Sequence, residues 1–153
     1  MPLPPTGASL PRVFFYHGAS NKLLSACRLL AGAAAQGKPV TVYSTSPALL
    51  DALDTLLWTF DPTRFVPHCR ADSPLATDTP ILLTNQLHQK GLPERIMNLD
   101  KDIPPAFEQL HTLIEVVSTE DDDRLPARHR FKHYKERGCA VEAIDLSAPK
   151  VNP

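Results

Sequence analysis

The spacing of apolar residues predicts alternating strands and helices over the first sixty residues. Short runs of aromatic and β-branched residues at 12–17 and 39–43 are typical of buried strands. Between them, residues 21–36 carry apolar side chains at helical spacing. Ser46 followed by Pro47 predicts the start of a second helix, because serine caps backbone N–H groups and proline suits the first turn. This order indicates parallel strands joined by right-handed crossovers.

The pattern becomes less regular in the second half of the chain. Residues 61–80 are rich in proline and are expected to be irregular, whereas 80–84 and 95–99 are predicted strands. Residues 105–118 contain apolar positions that fit a helix, but their apolar run at 113–117 also fits a strand. Both assignments therefore stay open for this segment.

The last elements complete one domain. A polar helix is expected to end near Gly138, and 140–146 is predicted to be the closing strand. Together the elements predict a single α/β domain over residues 12–147 with a mainly parallel sheet. The proline-rich N-terminus, 1–11, and the C-terminal residues 148–153 are expected to be flexible.

Composition changes this picture only slightly. The chain has 153 residues, of which 42% are hydrophobic and 22% charged, as is usual for a globular domain with its own core. Sixteen Lys and Arg against seventeen Asp and Glu give a net charge of −1. This balance argues against a generic nucleic-acid-binding protein, but it leaves room for a local basic patch. Sixteen prolines argue against long helices and coiled coils.

Cysteine usage and hydropathy indicate a reduced compartment. The three cysteines, Cys27, Cys69 and Cys139, are an odd number without metal-site spacing, so a disulfide framework is not expected. No apolar run is as long as a bilayer span, and the N-terminus lacks the basic start of a signal peptide. The expected location is the cytoplasm, with no membrane association.

The motifs of common active sites are missing. The turn after the first strand, 17–23, holds one glycine, whereas phosphate-binding loops need several. His129 and His133 have metal-ligand spacing but lie among cations and lack the glutamate of HExxH, so a solvated basic face is favoured. His68 and Cys69 lack a third orienting group for nucleophilic catalysis. We therefore expect no catalytic activity, metal or cofactor.

A change of charge sign marks the most informative segment of the chain. Residues 120–123 are all acidic, and 124–137 hold six Lys and Arg. Acid before base complements the helix macrodipole, so a purely structural role would explain this order. Helical spacing adds one feature, a basic face with four cations around one aromatic ring, formed by Arg124, Arg128, Phe131, Lys132 and Lys135.

Two kinds of ligand suit the basic face. It could hold an anionic peptide that carries one hydrophobic residue, or it could contact nucleic-acid phosphates. Because proline is tolerated only in a first helical turn, the regular helix is predicted to begin near Pro126, which places Arg124 before it. If the basic face contacts phosphates, the chain is instead a direct nucleic-acid-binding module that uses the helix at 124–137.

Five segments together resemble the chi subunit of bacterial DNA polymerase III. The likeness runs from about Arg12 to Leu146, and its segments are 14–16, Trp58 with 65–68, 104–107, 114–117 and 130–138. The tetrapeptide FVPH at 65–68 and the helix pattern R-[FY]-[KR]-x-Y-[KR]-x-x-G at 130–138 are fairly specific in combination. Either motif alone would be a weak signal.

The resemblance implies a fold and a class of function. It implies one Rossmann-like, three-layer α/β domain without a phosphate-binding loop, acting as a non-catalytic adaptor that reaches DNA only indirectly. One implied partner is the acidic, phenylalanine-ending C-terminal tail of single-stranded DNA-binding protein. By resemblance, the tail-binding residues are Val117, Arg124, Arg128, Phe131, Lys132 and Lys135. Position 131 is often tyrosine in the family, so Phe131 keeps the ring but lacks a hydroxyl.

The second implied partner is the psi subunit of the clamp-loader complex, so that the chain is a monomer alone or a heterodimer with psi. By resemblance, the psi-binding residues are Trp58, Phe60, Phe65, Val66 and Pro67. Without the family, aromatic residues around a proline turn are more often part of a core than of an interface. Their position in a loop after a helix with its own leucine face is nevertheless typical of binding hot spots.

Overall fold

Seven parallel strands form one sheet in the computed structural model, which describes residues 10–87 and 93–147. The strands are β1 (Arg12–Ala19), β2 (Val40–Tyr43), β3 (His68–Arg70), β4 (Ile81–Thr84), β5 (Arg95–Asn98), β6 (Thr112–Ser118) and β7 (Ala140–Asp145). They lie in the order β3-β4-β2-β5-β6-β1-β7, and the six pairings between these described strands are all parallel. The helices are α1 (Lys22–Ala35), α2 (Pro47–Thr59) and α3 (Asp121–Glu136).

The predicted bounds of α1 and the predicted start of α2 are confirmed by their capping residues. Asn21 precedes α1 and accepts a hydrogen bond from the backbone N–H of Leu24, at 3.1 Å. After α1 the chain turns at Gly37, whose φ of 70° is the left-handed conformation that glycine adopts at little cost. Ser46 caps α2 by accepting from the backbone N–H of Leu49, at 3.2 Å. Local polar residues thus set where both helices begin.

Two apolar clusters, one on each face of the sheet, give the domain three layers. On β6, Ile114 and Val116 belong to the cluster that contains the leucines of α2 and the inner face of α1. Leu113 and Val117 belong to the other cluster, which contains Tyr134 of α3. This alternation places α1 and α2 on one face and α3 on the opposite face. The predicted α/β fold with a Rossmann-like, three-layer arrangement is confirmed.

Two strands, β3 and β6, were not settled by the sequence pattern: β3 was not predicted, and β6 could have been a helix. The segment 61–80 is not irregular throughout, because it contains β3, which pairs with β4 just after the segment. A strand of three residues is too short for a periodic signal, so its partner decides its conformation. In the segment 105–118, a 3₁₀ turn at Phe107–Gln109 precedes β6, and the strand assignment is correct. The central position of β6 in the sheet explains its continuous apolar run.

The predicted start of the third helix near Pro126 was wrong. α3 begins at Asp121, so Pro126 lies inside it and Arg124 belongs to the helix proper. Three aspartates in the first turn favour the positive end of the macrodipole, and one of them, Asp123, accepts from the backbone N–H of Ser118 at 2.8 Å. Proline costs the helix one backbone hydrogen bond near its N-terminus, and these acidic contacts offset that cost.

Only a small part of the predicted flexible termini lies within the described residues. Within the predicted flexible termini, Leu10 and Pro11 precede β1, and the remaining positions, 1–9 and 148–153, lie outside the described residues. None of the helices in the described ranges is long and apolar enough to cross a membrane.

A buried charge cluster joins α3 to the centre of the sheet. Glu115 on β6 is fully buried, and its Oε2 accepts from Tyr134 Oη at 2.5 Å, Asn98 Nδ2 at 3.0 Å and Arg130 Nε at 3.2 Å. Arg130 also donates through Nη1 to the carbonyl oxygen of Lys101, at 2.7 Å. Its Nη2 lies 3.1 Å from Glu115 Oε1 without hydrogen-bond geometry, so that contact acts through charge alone.

The tyrosine of this cluster stays protonated. Burial, followed by the negative charge of Glu115, raises the pKa of Tyr134 far above its usual value. The Tyr134 hydroxyl therefore keeps its proton and donates it in a hydrogen bond to Oε2 of Glu115. The cluster holds α3 in one position relative to β6 because each buried charge depends on its partners.

Tyr134→Phe should lower the free energy of unfolding by about 1.5–3 kcal/mol, because it removes a hydrogen bond to a buried charge without creating a large cavity. Tyr16→Phe is the matched control, since the Tyr16 hydroxyl has no hydrogen-bond partner in the described part of the chain, and we expect a change below about 0.5 kcal/mol. Urea unfolding of both variants measures the difference. Equal stabilities would show that the cluster does not fix α3.

Candidate functional site

A crevice forms where the chain leaves two neighbouring strands toward opposite faces. β1 and β6 are adjacent, but the chain passes from β1 into α1 on one face and from β6 into α3 on the other. Such divergence at the carboxyl edge of a parallel sheet is where α/β proteins usually bind ligands. A groove of about 480 Å³ lies at this position, beside the N-terminal half of α3.

The groove combines apolar and cationic side chains. Phe131 of α3 meets Phe15 of β1 edge to face, with ring centroids 5.2 Å apart and planes at 85°. Val117 adds an aliphatic side chain from β6, and Arg124 and Arg128 add guanidinium groups from α3. The remaining lining residues are His17, Gly18, Ser118, Thr119, Ala127 and Ala143.

Four of the six residues predicted to bind a peptide tail line this groove, namely Val117, Arg124, Arg128 and Phe131. Lys135 lies beside it, with Nζ 5.2 Å from the centroid of the Phe131 ring. Lys132 is not among the lining residues; its side chain is 78% exposed and its Nζ lies 3.7 Å from Oε1 of Glu136. The predicted basic face is thus one wall of the groove and its rim rather than a separate stripe.

The basic residues of α3 differ in how free their charges are. Arg124 donates to Asp121 Oδ1 at 2.6 Å, and Arg137 at the C-terminal end of the helix pairs with Glu108. Arg130 is committed to the buried charge cluster. Arg128 has neither a hydrogen bond nor an ion pair with the described residues, although it lines the groove. Its guanidinium is available to a ligand.

An ion pair links the starts of α1 and α3 next to the groove. Lys22 Nζ donates to Asp123 Oδ1 at 2.7 Å, while Asp123 Oδ2 accepts from the Ser118 backbone N–H at 2.8 Å. Burial opposes the ionisation of Asp123, but the hydrogen bonds from Lys22 and Ser118 and the charge of Lys22 outweigh it and lower the pKa of the carboxyl group. The ionised Asp123 thereby ties β6, α1 and α3 together.

A glycine shapes the end of β1 within the groove. Gly18 has a φ of 76°, and a Cβ atom added there would lie 2.8 Å from Asp145 Oδ1. The register of β1 with β6 shifts between Tyr16 and Ala19, at the same point. Any larger residue at position 18 would distort this turn and the groove wall beside it.

The residues predicted to bind psi divide into exposed and buried ones. Trp58 is 56% exposed and Phe65 is 70% exposed, and their ring centroids lie 5.6 Å apart. Val66, by contrast, is only 3% exposed and belongs to the core, while Phe60 packs partly buried against it. Pro67 is half-buried. We call Trp58 and Phe65 the aromatic surface; the other three residues support it.

Sequence reasoning missed three residues of the groove and the burial of Arg130. Phe15, His17 and Ala143 reach the groove only because β1 pairs with β6 and β7, and no local pattern indicates this. Arg130 is one of the six basic residues of the segment 124–137, and the structure buries it in an ion pair. Its spacing of four from Tyr134 is the one signal that could have placed both on the inner side of α3.

The fold and the groove define a class of protein. This is a Rossmann-like α/β domain in which the first βα turn has a single glycine and the carboxyl-edge crevice is lined by apolar and basic side chains. The model of the family described as DNA polymerase III chi subunit, HolC, matches residues 10–142. The chain therefore belongs to the DNA polymerase III chi subunit family, a family of replication accessory subunits, as the sequence motifs predicted.

Two relatives bear the name DNA polymerase III subunit chi. The relative from Haemophilus influenzae is 31% identical over 115 residues, which are 74% of this chain and 79% of the relative. The relative from Pseudomonas aeruginosa is 29% identical over 132 residues, which are 86% of this chain and 90% of the relative. The similarity to both relatives therefore extends over most of this chain.

Asp123→Asn should destabilise the protein at neutral pH by about 1.5–3 kcal/mol, the usual worth of hydrogen bonds to a charged group. Because the folded pKa of Asp123 is lowered, its stabilising effect is complete above the unfolded pKa of about 3.9 and is lost as the pH falls through the folded pKa. Urea unfolding at about pH 7 and about pH 2.5 measures this change.

The difference in stability between wild type and Asp123→Asn should therefore be large at neutral pH and small in acid. Asp122→Asn is the control, because Asp122 is 79% exposed and lies 3.9 Å from Lys101, an arrangement worth little. A difference for Asp123→Asn that does not change with pH would contradict the ionised link between α1 and α3.

Proposed function

We propose that this chain is a non-catalytic replication adaptor with two binding surfaces. The groove binds the acidic C-terminal tail of single-stranded DNA-binding protein, and the aromatic surface binds the psi subunit, which links the chain to the clamp loader. The observation that carries the proposal is the groove itself, where an apolar lining adjoins the free guanidinium of Arg128. Family membership supports the same assignment.

The groove suits a peptide that ends in phenylalanine. Its volume of about 480 Å³ lies within the usual range for pockets that bury a small ligand. An aromatic side chain would pack against Phe131, Phe15 and Val117. A terminal carboxylate would then lie within reach of Arg128, whose planar guanidinium can bind it through two hydrogen bonds.

The acidic residues of such a tail would meet the other cations of α3. Arg124 can exchange its exposed pair with Asp121 for a carboxylate of the peptide at little cost. Lys132 and Lys135 lie on the same side and attract negative charge over a longer range. Since exposed charge pairs contribute little individually, we expect a micromolar dissociation constant that rises with salt concentration.

Arg128→Ala should weaken binding of a tail peptide about tenfold, because it removes a hydrogen-bonded charge from the groove. Arg28→Ala is the matched control, since Arg28 is an exposed arginine of α1 on the opposite face of the sheet. Isothermal titration calorimetry with a synthetic acidic peptide ending in phenylalanine measures both. Equal affinity of wild type and Arg128→Ala would contradict the site.

Two other outcomes of that titration would contradict the function rather than the site. No binding of the peptide to the wild-type chain would exclude the tail as a ligand. Binding of bare single-stranded DNA with a steep dependence on salt would instead favour a nucleic-acid-binding module that uses α3. The net charge of −1 argues against this, because nucleic-acid-binding domains usually carry a marked basic excess.

The aromatic surface has the composition of a protein-binding site. Two exposed aromatic rings in contact are costly to leave in water and are typical of binding hot spots. Trp58 lies in the last turn of α2, not in the loop after it as the sequence indicated, and Phe65 follows in that loop. α2 runs antiparallel to the strands on the face opposite α3. The aromatic surface therefore lies on the other face and near the other edge of the sheet from the groove, so both partners can bind at once.

Trp58→Ala and Phe65→Ala should each weaken psi binding at least tenfold while changing the free energy of unfolding by less than about 1 kcal/mol. Val66→Ala should lower the free energy of unfolding and leave psi binding largely unchanged, because Val66 belongs to the core. Trp58 is the single tryptophan, so its fluorescence reports psi binding directly. Wild-type affinity in Trp58→Ala, measured by calorimetry, would contradict the assignment of this surface.

A further inference from the structure

A buried histidine supports the aromatic surface from the inside. The side chain of His68 on β3 is fully buried, and its ring centroid lies 4.8 Å from that of Trp58. The two ring planes make an angle of 55°. His68, Trp58 and Phe65 thus form a row of three rings, of which His68 is the inner one.

Both ring nitrogens of His68 face oxygen atoms that accept hydrogen bonds. Nδ1 lies 2.8 Å from the carbonyl oxygen of Val66, and Nε2 lies 2.7 Å from Oδ1 of Asp54. A carbonyl oxygen and an ionised carboxylate only accept, so each nitrogen must carry a proton to make its bond. A neutral ring would leave a nitrogen lone pair directed at an oxygen in a buried site, which is unfavourable.

We infer that His68 is a positioning residue of the aromatic surface: held as an imidazolium between Asp54 and Val66, it fixes the ring of Trp58 from beneath. A cation close to an indole ring is attractive, and the effect grows where water is excluded. A fixed Trp58 holds the aromatic surface in one arrangement, so that less side-chain freedom is lost when a partner binds. Only this effect on binding rests on the proposed function.

The charged groups of the neighbouring elements are compatible with this charge state. Asp54 reaches His68 from α2, and its negative charge balances the imidazolium. Arg70, two positions along β3, pairs with Asp51 one turn earlier on α2. In the loop before β3, Arg64 pairs with a loop aspartate, and β4 contributes an apolar residue at the register of His68. Both of these arginines are thus balanced by their own carboxylates.

Nitrogen-15 NMR of the histidine rings in the full chain measures the charge directly. Because an acceptor faces each ring nitrogen, we expect His68 to carry protons on both of them at neutral pH. His68→Gln assigns its signal among the six histidines. A single ring proton on wild-type His68 would overturn the inference whether or not psi binds, whereas failure of psi to bind would contradict only the proposed function.

Asp54→Asn tests the positioning role without removing the ring. The asparagine amide can donate to Nε2, so a neutral His68 keeps its place and its bond to Val66. We expect His68 to lose one proton, the Trp58 emission to change and psi affinity to fall about three- to tenfold. Asp51→Asn removes the same charge one turn earlier, and it should change neither the protonation of His68 nor the emission of Trp58. Unchanged Trp58 emission in Asp54→Asn, despite a neutral His68, would overturn the positioning role.

Discussion

A carboxylate without access to water lies at the centre of this fold, and the position of α3 depends on it. Glu115 would be prohibitively costly to bury alone, so Arg130, Tyr134 and Asn98 must each stay within hydrogen-bonding distance. Two of these partners are four residues apart on α3, and they prevent the helix from rotating or sliding. The groove, whose wall is the next face of the same helix, inherits its shape from this cluster.

The helix pattern that identifies the family therefore has two physical roles. Arg130 and Tyr134 point inward and hold α3 to the sheet, while Phe131 and Lys135 point to the groove and its rim. A change on either side of the helix affects the other, because the inner contacts orient the outer residues. The aromatic surface is independent of this arrangement, since it lies on the opposite face, beside the apolar cluster that contains Val66.

Several features were out of reach of sequence reasoning because they depend on partners distant in the chain. β3 has three residues and forms only because β4 lies beside it. α3 continues through Pro126 because contacts of Asp123 with β6 and α1 offset the lost backbone bond. The pairing of His68 with Asp54 joins residues fourteen positions apart, and neither residue carries a local signal for it.

Spacing and short-range contacts were enough to predict the alternation of strands and helices over the first sixty residues, the cap of α2 and the basic face of α3. These features depend on spacing and on side chains that act within one turn of the backbone. Which cations are free is known only from the folded structure. It buries Arg130, leaves Arg128 open beside Val117, and separates the exposed Trp58 from the buried Val66. Burial and charge pairing are set by packing between elements, and a one-dimensional pattern does not contain that information.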